Sequence, residues 1–200
     1  MTKMDKRDNS VSLLAWVYNE EELIGEFLDR AIGLLEGSVV DFEIVVVDDG
    51  STDRTPEILE LYSRGESRLR IVTHPRNLNV GWAMRTAIGS AKKECLFWQT
   101  VDWSYDLGNV RLYLDLLKHY DVVQGVRLPR EGRLDRIPVL RRIVSIRFRS
   151  DTAAKAIISL VNYYVLRLLF GVPLRDFQNV TFYPTRLVQS LNIEGRTGFV

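Results

Sequence analysis

Two adjacent carboxylates, Asp48 and Asp49, close the apolar run Ile44-Val45-Val46-Val47 and are followed at once by Gly50-Ser51-Thr52-Asp53. Acids at the end of a buried strand can accept hydrogen bonds from a ligand, and Asp48 could take the N–H groups of a nucleobase; the same acids can also punctuate a turn and cap a helix. Earlier, Tyr18-Asn19-Glu20-Glu21-Glu22 offers a ring that can stack on a base and acids that can bind it, although an Asn followed by acids is also an ordinary helix start. In Gln99-Thr100-Val101-Asp102-Trp103-Ser104-Tyr105-Asp106, the acids Asp102 and Asp106 could hold a hard divalent cation through oxygen or simply solvate a turn. From Arg127 to Arg149 eight arginines stand against two acids, Glu131 and Asp135. Guanidinium forks match phosphate oxygens, and a solvated basic loop has the same composition.

These groups need elements to hold them. Val11 to Val17 predicts a strand, and Glu20 to Leu35 a helix with Leu23, Ile24, Phe27, Leu28, Ile32 and Leu35 at helical spacing. Strands over Phe42–Val47, Leu69–Thr73 and Glu94–Gln99 alternate with helices over Pro56–Arg64 and Val80–Lys92. Gly50 permits a turn with positive φ, Ser51, Thr52, Asp53 or Thr55 can cap the second helix, and Pro56 suits its first turn. The βαβαβαβ order predicts an α/β fold with right-handed crossovers, a mainly parallel sheet and helices on both faces. A helix over Leu107–His119 and a short strand at Val122-Val123 follow, then a loop from Arg127 to Pro138. Ala153 to Phe170 predicts an apolar helix, which either packs in a core or touches a membrane. Asp48 and Asp49, Tyr18 to Glu22 and Thr100 to Asp106 thus all fall at carboxyl ends of strands, where ligands bind in open α/β sheets.

Bulk properties set bounds. Two hundred residues with 46% hydrophobic content suit one globular unit, a polar tail over 1–10 and a folded domain over 11–200. A formal charge of +1 gives no general affinity for nucleic acid. The single cysteine, Cys95, excludes an internal disulfide framework, suits a reducing compartment and is expected in the core. The N-terminus has no apolar leader pattern and no run reaches the roughly eighteen apolar residues of a span, so a cytoplasmic protein or one at the cytoplasmic face of a membrane is expected. The end at Thr197-Gly198-Phe199-Val200 reads as a truncation. Neither a Gly-x-Gly-x-x-Gly fingerprint nor a P-loop is present.

Taken together, the three strand-end stations resemble the family-2 glycosyltransferases, which have the GT-A (Rossmann-like) fold. The resemblance rests on Val17-Tyr18-Asn19-Glu20-Glu21, Val46-Val47-Asp48-Asp49-Gly50-Ser51-Thr52-Asp53, Asn77 to Gly81, Thr100-Val101-Asp102 and Arg175-Asp176, and it covers Val11 to about Phe199. It is nearest to the dolichyl- and polyprenyl-phosphate sugar transferases. It implies that Tyr18, Glu20 and Asp48 contact the base, with Val46 in the base pocket and Asp49 serving the turn. Thr100, Val101 and Asp102 would lie along the donor, with Asp102 as metal ligand and, through that metal, a catalytic residue. Arg127 would bind phosphate, Arg133, Arg136, Arg141 and Arg142 an anionic lipid acceptor, and Asp176 would act as base or position the acceptor.

The sequence departs from that pattern twice. The family carries Asp-x-Asp where this chain has Thr100-Val101-Asp102, so a Mg²⁺ or Mn²⁺ cofactor loses one formal charge of its site; Asp106 is a substitute on offer. Trp16 stands where proline is common, either reshaping the base pocket or packing in the core. The implied activity is inverting transfer of a sugar from a UDP- or GDP-sugar to a polyprenyl phosphate, with peripheral membrane contact. The alternatives are a transferase acting on a saccharide hydroxyl and a catalytically weak nucleotide-sugar-binding protein, the latter motivated by Thr100. A sugar nucleotidyltransferase expects a Gly-rich N-terminal loop, which Val11 to Glu22 lacks. His74 and His119 receive no catalytic role.

Overall fold

The computed structural model of the chain describes residues 10–125, 165, 168–169, 171, 180–191 and 193. Met1–Gln124 with Val180–Val200 forms one compact unit and Gly125–Asn179 a second. The first unit holds a sheet of β1 (Ser10–Val17), β2 (Asp41–Asp48), β3 (Leu69–Thr73), β4 (Cys95–Trp98), β5 (Val123–Gln124) and β6 (Thr181–Pro184), in the order β3-β2-β1-β4-β6-β5. β1 lies between β2 and β4 and is parallel to both, and β2 is parallel to β3. β6 runs antiparallel to β4 and β5. The expected α/β architecture is thus present, with a mixed and mostly parallel sheet.

Strand order decides where a ligand can sit. The chain winds outward from β1 to β2 and β3, then returns to place β4 on the other side of β1. The reversal opens a crevice at the carboxyl ends of β1 and β4, the switch point at which open α/β sheets bind ligands.

Helices α1 (Ile24–Ser38), α2 (Thr55–Gly65), α3 (Val80–Ser90), α4 (Val110–Leu116) and α5 (Thr185–Ser190) cover the two faces. On one face, Ile24, Phe27, Leu28, Ala31 and Leu35 of α1 join Leu59 of α2 and Val110 and Leu114 of α4 over Leu13, Ala15, Ile44, Val46 and Phe97. On the other, Ala83, Met84, Ala87 and Ile88 of α3 and Val188 of α5 pack on Leu14, Val45, Val47 and Leu96. The unbroken run Ile44 to Val47 supplies apolar side chains to both layers, which is why it shows no alternation. Cys95 is only partly buried, and burial pushes its thiol up.

Several bounds differ from the periodic pattern for local reasons. The first helix begins at Ile24, because Asn19 takes φ +56° and the chain makes a turn through Glu20 to Leu23 before settling into the helix. α4 is shorter at both ends than the expected 107–119; before it the chain turns, with the Gly108 N–H bonded to Asp106 Oδ1 and the Val110 N–H to Leu107 O. Neither β6 nor α5 has a usable pattern, being four and six residues long and joined through Pro184. Of the expected helix Ala153–Phe170, Val165, Leu168 and Leu169 are described and helical; the remainder lies outside the described residues. No helix among the described residues is long and apolar enough to cross a membrane.

The edge of the sheet opposite the crevice carries a polar network. Glu43 is 7% exposed; its Oε1 accepts from the fully buried Ser12 hydroxyl and the Lys92 N–H, each at 2.6 Å, and its Oε2 from Arg70 at 2.9 Å. Glu43→Ala strands these donors, each costing about 1–3 kcal/mol when buried and unpaired. We expect the urea midpoint to fall by the equivalent of about 3 kcal/mol, while nucleotide binding at the distant crevice is unchanged.

Candidate functional site

The turns after β1 and β2 bind each other rather than themselves alone. Ser51 Oγ accepts the Asn19 N–H at 3.0 Å, Thr55 Oγ1 the Glu20 N–H at 2.9 Å and Asp53 Oδ2 the Glu21 N–H at 3.1 Å. In return, Asn19 Oδ1 accepts the Thr52 N–H at 2.8 Å and Glu21 Oε2 the Arg54 N–H at 2.9 Å. Asp53 also caps its own helix through the Thr55 N–H at 3.0 Å. Of the residues offered as caps for α2, Asp53 meets that helix's first N–H, while Ser51 and Thr55 instead satisfy the donors preceding α1, and this cross-strand clasp fixes Tyr18 and Glu20 at the crevice.

The crevice is a cavity of about 530 Å³. One wall is Trp16, Val17, Tyr18, Glu20 and Leu23; a second is Asp49, Asn77, Asn79, Val80 and Ala83; the third is Gln99, Thr100, Val101 and Asp102. Thus Tyr18, Glu20, Thr100, Val101 and Asp102 are brought together as expected. Trp16 both lines the cavity and packs on Trp98, ring centroids 6.3 Å apart.

Three expectations need correction. Val46 is fully buried in the core beneath α1, with no surface for a base pocket. Asp48 is 1% exposed, its Oδ1 accepts the Ser51 N–H at 2.9 Å, and the cavity wall is formed by Asp49 instead. Adjacent residues at a strand end point to opposite faces, so the two acids cannot share one role. Asp106 does not line the cavity either: its Oδ1 accepts the Gly108 N–H at 2.9 Å in the turn before α4. Arg127, Arg133, Arg136, Arg141, Arg142 and Asp176 lie outside the described residues.

Asp49 keeps its structural part as well. Its Oδ1 takes hydrogen bonds from His74 Nδ1 at 2.6 Å and the Leu78 N–H at 3.0 Å, while His74 Nε2 meets Thr86 Oγ1 at 2.9 Å. This buried relay hangs the Arg76–Asn79 loop from the end of β2, and Asn77 and Asn79 of that loop reach the cavity. His74 is accordingly a structural residue. Asn77 and Asn79 belong to a motif recognisable in the sequence, but only the position of the loop at a third strand end could have marked them as lining residues.

Around Asp102 the chain folds tightly. The Ser104 N–H is shared between Thr100 Oγ1 and Asp102 Oδ1, each at 3.1 Å, and the Ser104 hydroxyl donates to Asp102 Oδ2 at 2.6 Å. The hydrogen bonds from Ser104 and Thr100 hold the Asp102 carboxyl below the usual carboxylate range, so it stays ionised. Across the cavity, burial and then the charges of Asp102 and Asp53 push the Glu20 carboxyl upward. The cavity therefore carries negative charge that a cation would relieve.

The donors Asp102 and Thr100 are hard oxygen ligands, and no cluster of three or more His, Cys, Asp or Glu suited to a metal occurs among the described residues. Such a set fits Mg²⁺ or Mn²⁺ held by one carboxylate with the remaining ligands from diphosphate and water, rather than a cage made by protein alone.

A mostly parallel sheet with a switch-point cavity walled by aromatic, amide and acidic residues is the architecture of a GT-A type fold. The family model for glycosyl transferase family 2 matches residues 12–171, and the chain belongs to that family as a glycosyltransferase domain. It is 30% identical over 105 residues to a dolichyl-phosphate beta-glucosyltransferase of Mus musculus, covering 49% of this chain and 32% of the relative. It is 29% identical over 181 residues to an undecaprenyl-phosphate 4-deoxy-4-formamido-L-arabinose transferase of Pectobacterium atrosepticum, covering 88% and 54%. Among solved structures, a mannosyltransferase from Pyrobaculum calidifontis in complex with GDP-Man and Mn²⁺ superposes with a TM-score of 0.50 at 26% identity, over 62% of this chain and 37% of that one. The chain spans about half the length of these relatives or less.

Proposed function

We propose that this domain transfers a hexose-type sugar from a nucleotide-sugar to a polyprenyl phosphate, with inversion at the anomeric carbon. The observation that carries the reading is the meeting of Tyr18, Glu20, Thr100, Val101 and Asp102 around one cavity at the switch point. Tyr18, 43% exposed, presents a ring on which a base can stack, and Asn77 and Asn79 offer amides for ribose and base. Asp102 and Thr100 would hold a divalent cation, which when bound neutralises charge growing on the departing diphosphate.

The acceptor attacks the anomeric carbon from the side opposite the leaving diphosphate. A lipid phosphate is already anionic near pH 7 and needs no base, whereas a sugar hydroxyl does. The lipid-phosphate relatives and the arginine-rich segment from Arg127 to Arg149 support the same acceptor.

The test is nucleoside-diphosphate release with UDP- and GDP-sugars, with and without Mn²⁺, in the presence of undecaprenyl phosphate, dolichyl phosphate or a saccharide acceptor. Release that depends on lipid phosphate supports the reading. Donor binding by thermal shift without turnover on any acceptor favours the binding-protein alternative that Thr100 motivates. Replacing Arg133, Arg136, Arg141 and Arg142 with Ala is expected to raise the lipid-phosphate KM about ten-fold or more while the donor Kd stays unchanged; equal loss of both would refute their assignment to the acceptor.

A further inference from the structure

We propose that Trp103 is the positioning residue of this site, its ring fastening the turn that aims Asp102 and Thr100 into the cavity to helix α1. The proposal rests on the nucleotide-sugar reading only for what the aimed groups bind. Trp103 takes φ +55°, a left-handed conformation that is unfavourable for a non-glycine residue and that a bulky residue seldom adopts. Such a conformation persists where its surroundings determine it.

Those surroundings are specific. The indole meets the Phe27 ring edge-on, centroids 5.7 Å apart at 62°, and Phe27 is itself 1% exposed and immobile in the core. The Arg30 guanidinium lies 4.5 Å from the indole centroid, closing the ring between two side chains of α1. At the backbone, the Trp103 N–H donates to Thr100 O at 2.9 Å. The left-handed step then turns the next N–H, that of Ser104, back over Thr100 Oγ1 and Asp102 Oδ1.

The consequence reaches both walls of the cavity. α1 begins where Leu23 N–H and Ile24 N–H bond to Glu20 O, so the helix that grips Trp103 also carries the Glu20 turn at its start. Trp103 therefore sets the spacing between the Glu20 wall and the Asp102 wall without touching a ligand: it is absent from the cavity lining while its neighbours Thr100, Val101 and Asp102 are present. A glycine here would accept the backbone angle freely and lose the grip. That separates anchoring from strain.

The test compares W103G, W103F and the unaltered chain. In the protein without ligand, amide hydrogen exchange at Ser104 is expected to quicken at least about ten-fold in W103G, with the core amides of α1 unchanged, and to stay within about three-fold in W103F. In donor assays, W103G is expected to raise KM for the nucleotide-sugar about ten-fold and W103F to restore it. Unchanged Ser104 protection in W103G overturns the proposal. So does a loss of donor affinity in both variants that only tracks their melting temperatures. If Ser104 responds as stated and the unaltered chain binds no nucleotide-sugar, the reading of the ligand fails while the positioning role stands.

Discussion

Asp102→Asn is expected to lower sugar transfer by about 10²–10³-fold, roughly 3–4 kcal/mol of transition-state stabilisation, with little change in melting temperature. Among the described residues the carboxylate is the only acid on its wall of the cavity, and Ser104 keeps it ionised through two hydrogen bonds. Asparagine preserves the shape and can still accept the Ser104 N–H, so what is lost is charge. Where an Asp-x-Asp pair would share the work, here Thr100 contributes only a neutral oxygen, and among the described residues no second acid on that wall compensates. The measurement is nucleoside-diphosphate release at saturating donor, beside Kd for the donor with and without Mn²⁺. Transfer within ten-fold of the unaltered chain would remove Asp102 from the chemistry. The converse change, Thr100→Asp, adds the missing charge and should tighten Mn²⁺ binding; it also brings a third carboxylate toward Glu20, whose proton is already held more tightly by burial and by Asp102.

The parts of this architecture that repeat were readable in the sequence. Strands β1 to β4 and helices α1 to α3 follow from apolar periodicity because each buries a face against a neighbour in sequence order. From their alternation came the parallel sheet, and from the parallel sheet the rule that Tyr18, Glu20 and Asp102 meet at one edge. What periodicity cannot supply is the direction of a single side chain at a strand end. The exchange of parts between Asp48 and Asp49 turns on which face of β2 each residue occupies, and with Val45 to Val47 all buried the run gave no alternation from which to count. β6 was illegible for another reason: its antiparallel pairing to β4 and β5 crosses a long intervening segment, and four residues ending in Pro184 do not stand out without the partners. The positive φ of Trp103 was equally hidden, because a bulky residue seldom adopts it and tertiary contacts hold it there, whereas at Asn19 and Asn79 the residue type itself tolerates a positive φ.

Gly50→Ala is expected to damage both fold and site, with a fall in unfolding free energy of about 3 kcal/mol or more. Gly50 has φ +74°, where an alanine is strained by roughly 1–2 kcal/mol. Independently, a Cβ there would stand 2.5 Å from the Arg76 carbonyl carbon, 2.6 Å from its Cα and 2.8 Å from Asn77 N. These are backbone atoms, so no rotamer change relieves the clash and the two chain segments must separate; overpacking of this kind adds a further ~1–3 kcal/mol. The segment pushed away is the loop that Asp49 holds through the Leu78 N–H and that carries Asn77 and Asn79 into the cavity. Loss of donor affinity should therefore exceed what the fraction unfolded explains, a difference visible when binding is measured well below the melting temperature. The control is Gly33→Ala on α1, where a Cβ meets nothing within 4 Å, and alanine's helix propensity should leave stability unchanged or raised by up to about 1 kcal/mol. Equal stability of the two variants would mean that the turn after β2 can open without cost, and the close approach of Gly50 to Arg76 would no longer explain why a glycine follows the two acids.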